Sequence, residues 1–128
     1  MPTTAANLVA EARSQIEQVS PDEAIAEVRA GAILLDIREP VEWEQHIAGA
    51  IQVPRGLLEW AADPSAPRHV QGLEPERRVL VYCRSGTRAS LAVLTLQTLG
   101  YGNVANLDGG INAWVAAGLP VVEHHDGV

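Results

Sequence analysis

The sequence predicts an α/β domain built on a parallel sheet. Three observations carry that prediction. Short apolar runs such as Ala32–Ile37, which carries one charge near its end at Asp36, and Val79–Tyr82 read as strands buried on both faces. Segments with helical periodicity alternate with them. Gly and Pro punctuate the joins.

Residues 4–18 carry Leu8, Ala12 and Ile16 on one helical face. Ser20, Pro21 and Glu23 form a capping-box start for a second helix, which runs to about Ala30 and stops at Gly31. The first buried strand is 32–37, and a short helix is expected over 41–46. Gly49–Val53 is the next strand, halted by Pro54, followed by a short helix over 55–61. A surface loop runs on to 77, with Pro64, Pro67, Gly72 and Pro75 in it. Strand 79–82, an apolar helix over 88–99 closed by Gly100, strand 104–107 and a last helix over 111–117 complete the domain. There is no internal repeat and no sign of a second domain.

The 128 residues make one domain of ordinary size, and 47% apolar content suffices for a core. No apolar run approaches the ~20 residues of a membrane span. The amino terminus lacks the basic and apolar regions of a signal peptide, so a cytoplasmic location is expected. A net charge of −7 argues against nucleic acid and anionic membranes as partners. Any anion site must then be locally positive. The chain has no Lys, so all nine cationic side chains are Arg. Composition bias accounts for the missing Lys but not for the clustering of Arg38, Arg55, Arg84 and Arg88 around the segments considered next.

Cys83 is the one cysteine. It directly follows a buried strand and opens Cys83-Arg84-Ser85-Gly86-Thr87-Arg88, which leads into a helix. Ligands bind at the carboxyl ends of strands in such sheets, and helix N-termini present unpaired N–H groups and partial positive charge. Gly86 permits the tight turn, Ser85 and Thr87 can donate hydrogen bonds, and Arg84 and Arg88 bring charge. A thiol there is expected to titrate at roughly 3.5–7.5 rather than ~8.5 and to act as a thiolate nucleophile. The alternative for a lone Cys is a buried small hydrophobe beside a polar turn.

The Cys-Arg-Ser-Gly-Thr-Arg loop resembles the active-site loop of the rhodanese family. Two further stretches extend the resemblance. Leu35-Asp36-Ile37-Arg38 with Glu42, His46-Ile47 and Gly49-Ala50 is similar to that family's first signature. Leu107-Asp108-Gly109-Gly110, Trp114 and Gly118-Leu119-Pro120 are similar to its closing one. The set covers about residues 19–121, leaving 1–18 as a helical extension and 122–128 as a tail. The resemblance implies a three-layer α/β/α fold. It also implies a sulfurtransferase in which Cys83 takes a sulfane sulfur from a donor, holds it as a persulfide and passes it to a thiol, cyanide or protein acceptor by ping-pong chemistry. The backbone of residues 84–88 would form the anion cradle, with Arg84 and Arg88 favouring thiosulfate. No cofactor is implied.

Two rival readings share the thiolate. One is a module relaying persulfide between protein partners. The other is a phosphatase or arsenate reductase. Four residues lie between Cys83 and Arg88, one fewer than in the related phosphatases, and Tyr82 stands where those have His.

Asp36 and Arg38 are supporting candidates, as an ion pair fixing the fold or as props for Arg88 and the surroundings of Cys83. Arg55 either reaches the anion pocket or is an exposed loop residue. His46 is expected to tie a turn to backbone. Trp60 and His69 could line the pocket mouth, and Trp114 is expected in the core. The N-terminal helix is the candidate contact for a homodimer. His124-His125-Asp126 reads as a frayed terminus, and no metal site is expected.

Overall fold

A computed structural model describes residues 2–123. Five parallel strands form the central sheet in the order β1-β6-β5-β2-β4: β1 (Glu17–Val19), β2 (Ile33–Asp36), β4 (Ile51–Gln52), β5 (Val79–Tyr82) and β6 (Val104–Leu107). Every residue of β2, β5 and β6 is buried, as a sheet covered on both faces requires. Alternate residues supply two cores. Leu35, Val79, Val81 and Val104 pack with α3 (Leu58–Ala62) and α4 (Thr87–Thr98). Leu34, Leu80, Ala105 and Leu107 pack on the other face with α2 (Pro21–Arg29) and α5 (Gly110–Ala116). The expected α/β/α layering is therefore present.

Strand order decides where a ligand can sit. From β2 the chain moves outward to β4, then crosses back to β5 on the other side of β2 and continues outward to β6. Neighbouring strands β2 and β5 thus send their following loops apart, and the crevice at their carboxyl ends is the topological switch point. The Ile37 N–H donates to the Tyr82 carbonyl (3.1 Å), continuing the pairing to that edge. Cys83 is the next residue.

Local elements follow the sequence with a few departures. The capping box of α2 is complete: Ser20 Oγ accepts from the Glu23 N–H (3.1 Å), and the Glu23 carboxylate accepts from the Ser20 N–H (2.8 Å). Helix α1 spans Ala5–Gln15 and packs on α4, so residues 17 and 18, expected to be helical, belong to a strand instead. The reason is tertiary, since Glu17–Val19 pair with Ala105–Leu107 at the sheet edge.

The helix expected over 41–46 is absent. One 3-10 turn, Pro40–Glu42, is followed by β3 (Gln45–His46), which pairs antiparallel with β7 (Val122–Glu123). The carbonyls that would continue a helix are held elsewhere: Arg38 Nη2 donates to the Gln45 carbonyl (2.8 Å), and His46 Nδ1 lies 3.0 Å from the Trp43 carbonyl. The first two residues assigned to the tail are thus a strand. His124-His125-Asp126 lie outside the described residues. No helix among the described residues is long and apolar enough to cross a membrane.

Candidate active site

Cys83 directly follows β5, with its side chain turned to the α4 face of the sheet, where it is fully buried. Two backbone amides aim at its sulfur: Gly86 N–H at 3.1 Å and Ala89 N–H at 3.4 Å. The second belongs to the first turn of α4, whose leading N–H groups have no partner within the helix. Gly86 makes the geometry possible. It sits at φ +102°, a left-handed conformation that side chains resist, and its Cβ would come within 3.4 Å of Asn106 Nδ2. Ser90 Oγ donates to the Gly86 carbonyl (2.6 Å) and fixes that peptide plane from inside α4.

The opposite side of the loop is held by α5. The Ile111 N–H donates to the Cys83 carbonyl (2.9 Å) and the Asn112 N–H to the Arg84 carbonyl (3.0 Å). In a trans peptide the N–H points opposite to the C=O, so the amides of Arg84 and Ser85 turn away from α5. Gly110 lets this helix come so close. A Cβ there would stand 2.5 Å from the Cys83 carbonyl oxygen and 2.6 Å from backbone atoms of Arg84. The Gly109-Gly110 pair is therefore part of the site; the sequence carries it within the closing motif Leu107-Asp108-Gly109-Gly110, to which no site role is attached there.

Charge on the loop is organised by Glu42, which appears in the first motif and was given no role there. Its carboxylate takes a two-pronged pair from Arg88 (Nη1 2.8 Å, Nη2 3.0 Å) and a further contact from Arg84 Nη2 at 3.2 Å. The Arg88 guanidinium is the main reason that this carboxyl is pushed down from 4.5 to about 2; burial opposes the shift. The same pairing raises Arg88. Two cations, Arg84 and Arg88, thus share one carboxylate partner, with Glu39 also acting on Arg88. The Arg84 side chain is 60% exposed and that of Arg88 37%, so Arg84 is the freer donor. Ser85 and Thr87 are exposed at the rim.

Asp36 and Arg38 pair with each other, not with Arg88, which Glu42 holds. Arg38 Nη2 lies 2.8 Å from Asp36 Oδ2 with both side chains buried, and the Arg38 N–H also donates to Asp36 Oδ1 (3.0 Å). The Arg38 guanidinium covers the Tyr82 ring at 5.6 Å. Burial raises the Tyr82 hydroxyl, whose oxygen accepts from the Ile47 N–H (3.1 Å). These groups lock the β2 loop to the strand that carries Cys83.

Arg55 is directed elsewhere. It pairs with Glu59 (3.1 Å) and donates to Thr95 Oγ1 (3.1 Å), two turns beyond the start of α4. His46 ties its turn to backbone as expected, and Trp114 is buried with its Nε1 donating to the Pro120 carbonyl (2.9 Å). Trp60 is 58% exposed. It lines a groove with Leu57, Pro67 and Arg68, while His69 contacts the Leu73 carbonyl (2.8 Å).

Residues 20–117 match the rhodanese-like domain family. A sulfurtransferase of Allochromatium vinosum is 37% identical over 110 residues, covering 85% of this chain and 94% of that protein. Thiosulfate sulfurtransferase 16, a chloroplastic protein of Arabidopsis thaliana, is 35% identical over 96 residues, 71% of this chain and 80% of that one. A solved structure from Rhodopseudomonas palustris, described as a protein of unknown function and possible tyrosine phosphatase, superposes with a TM-score of 0.82. It is 34% identical, with 94% and 98% of the two chains covered.

Proposed function

The chain belongs to the rhodanese-like domain family and is a sulfurtransferase, and we propose that it moves a sulfane sulfur from thiosulfate to a thiol or cyanide through a persulfide on Cys83. The observation that carries this reading is the convergence of the Gly86 and Ala89 amides on a single sulfur at the switch point of the sheet. Donors fixed there favour an anion on that atom without reorganising.

The Cys83 thiolate attacks the outer sulfur of thiosulfate. A sulfur–sulfur bond forms to Cys83 while the bond to the inner sulfur breaks, and sulfite leaves with the electron pair. Charge is conserved: thiolate and thiosulfate dianion become persulfide anion and sulfite dianion. The same amides then face the loaded Cys83. An acceptor thiolate attacks the outer sulfur and restores the Cys83 thiolate. Sulfite needs no proton to depart, which suits a loop without a general acid.

Thiosulfate is drawn to the two rim arginines, with Arg84 as the donor most open to solvent. Because Cys83 is fully buried, a donor must pass the exposed rim at Arg84 and Ser85 to reach it. The spacing of four residues from Cys83 to Arg88 gives a ring fitted to one sulfur atom, which weighs against the phosphatase chemistry suggested for the R. palustris relative.

Intact mass after exposure to thiosulfate is the test. A gain of one sulfur, absent in Cys83→Ser and reversed by cyanide or a thiol, is expected. No gain in a protein whose Cys83 is readily alkylated would refute the thiosulfate donor and turn attention to a protein persulfide donor.

A further inference from the structure

With Cys83 read as the sulfur-accepting group, on which this rests, we infer that Asn106 and Gln18 are positioning residues for its loop. They act through Ser90, as a hydrogen-bond relay that begins on edge strand β1. Neither is bonded to the reacting sulfur, whose donors are the Gly86 and Ala89 amides. Val81, Asn106 and Gln18 stand level across β5, β6 and β1. Val81 packs on the α4 side of the sheet, so the other two face α4 as well. Cys83, two residues past Val81, shares that side.

Asn106 Nδ2 donates to Gln18 Oε1 (2.8 Å) and to Ser90 Oγ (3.4 Å), and Ser90 Oγ donates to the Gly86 carbonyl (2.6 Å). Proton count fixes the direction. A hydroxyl has one proton. The Gly86 carbonyl takes it, so the side of Ser90 that meets Asn106 can only accept. Gln18 in turn holds the Asn106 amide with its donor toward Ser90. Asn106 Nδ2 also backs Gly86 directly, 3.4 Å from where a Cβ would lie. The Gly86 carbonyl shares its peptide plane with the Thr87 N–H and its residue with the N–H that meets Sγ. Holding that carbonyl therefore aims both amides. Gln18 lies outside residues 20–117, which match the family, so the relay begins in a segment outside the shared domain.

Packing does not account for an amide at this place. Asn106 is fully buried in a strand whose other members are Val104, Ala105 and Leu107. Its Oδ1 and Gln18 Nε2 are both buried without a partner among the described residues. Burying unpaired polar atoms costs stability. The donor half of the Asn106 amide is the half that is used, and it is used on the loop.

Ser90→Ala, Asn106→Ala and Gln18→Met each remove one link, and circular dichroism checks that they fold. Should Asn106→Ala not fold, the other two carry the test, since each deletes a polar group at nearly constant size. Single-turnover loading of Cys83 by thiosulfate is read by intact mass, as a saturated rate and a half-saturating concentration. The saturated rate should fall about tenfold in each variant, because the loop amides lose their aim. The half-saturating concentration should stay within about twofold, since Arg84 and Arg88 remain on Glu42. In Ser90→Ala/Asn106→Ala the rate should match Ser90→Ala to within about twofold, because the links act in series. Amide hydrogen exchange by NMR reads the geometry without a donor: Gly86 should exchange about tenfold faster in each variant, and Val81 at the wild-type rate. An unchanged saturated rate or unchanged Gly86 exchange overturns the relay. So do losses that multiply in the double variant, which make Ser90 and Asn106 independent supports. Failure of the wild type to gain sulfur overturns the thiosulfate reading alone, and Gly86 exchange then decides the relay by itself.

Discussion

Replacing Gly110 with Ala should unlock the catalytic loop, and the size of the effect can be worked from the geometry. Gly110 has φ +61°, and a left-handed non-glycine residue costs ~1–2 kcal/mol. The added Cβ would also stand 2.5 Å from the Cys83 carbonyl oxygen and 2.6 Å from the Arg84 carbonyl carbon and oxygen. All three are backbone atoms, so no side-chain rotation relieves the overlap. Either α5 or the loop must move. Both routes break the Ile111–Cys83 and Asn112–Arg84 hydrogen bonds, at ~0.5–1.5 kcal/mol each. The sum is about 2–5 kcal/mol. For a domain of this size that is a fall in Tm of roughly 8–20 °C. Gly118→Ala is the control. Gly118 has φ +76° but nothing within 4 Å of its would-be Cβ, so it should show the backbone cost alone, roughly 4–8 °C. Thermal unfolding by calorimetry gives both numbers, and single-turnover loading should slow in Gly110→Ala and not in Gly118→Ala. Equal Tm shifts, or normal loading by Gly110→Ala, would refute the claim that close approach of α5 shapes the loop.

Three further outcomes are expected. Asp36→Asn leaves the Arg38 guanidinium buried against a neutral partner, and loss of one member of such a pair costs ~3–5 kcal/mol; urea unfolding showing under ~1 kcal/mol would contradict this. Glu42 titrates lower in the folded chain (about 2) than its free value of 4.5, so its contribution is complete above pH 4.5 and is lost as pH falls toward 2. Stability measured across that window should decline in the wild type and less steeply in Glu42→Gln; parallel curves would disprove the assignment. Arg55→Ala should load sulfur from thiosulfate within twofold of the wild-type rate, since Arg55 is held by Glu59 and Thr95, and a tenfold loss would return it to the site.

Much of this was legible in the chain itself. The apolar runs at 32–37 and 79–82 have to be buried on two faces, whatever the rest of the fold. The capping box at Ser20 closes on itself within four residues. Cys83 through Arg88 carries its own glycine, its own arginines and its own helix start, so the chemistry of the loop is local and can be read locally. What tertiary structure decided is what depends on partners far along the chain. Glu17–Val19 is a strand only because β6 lies beside it. Residues 41–46 fail as a helix because Arg38 holds the Gln45 carbonyl and β3 finds β7 near the opposite end of the sequence. Glu42 becomes the counter-charge of Arg84 and Arg88, and the amides of α5 become the outer clamp of the loop, only when the carboxyl ends of β2, β5 and β6 are brought side by side. A local pattern fixes backbone geometry within a turn or two, whereas the electrostatic and steric environment of Cys83 is a sum over segments that meet only once the sheet has assembled.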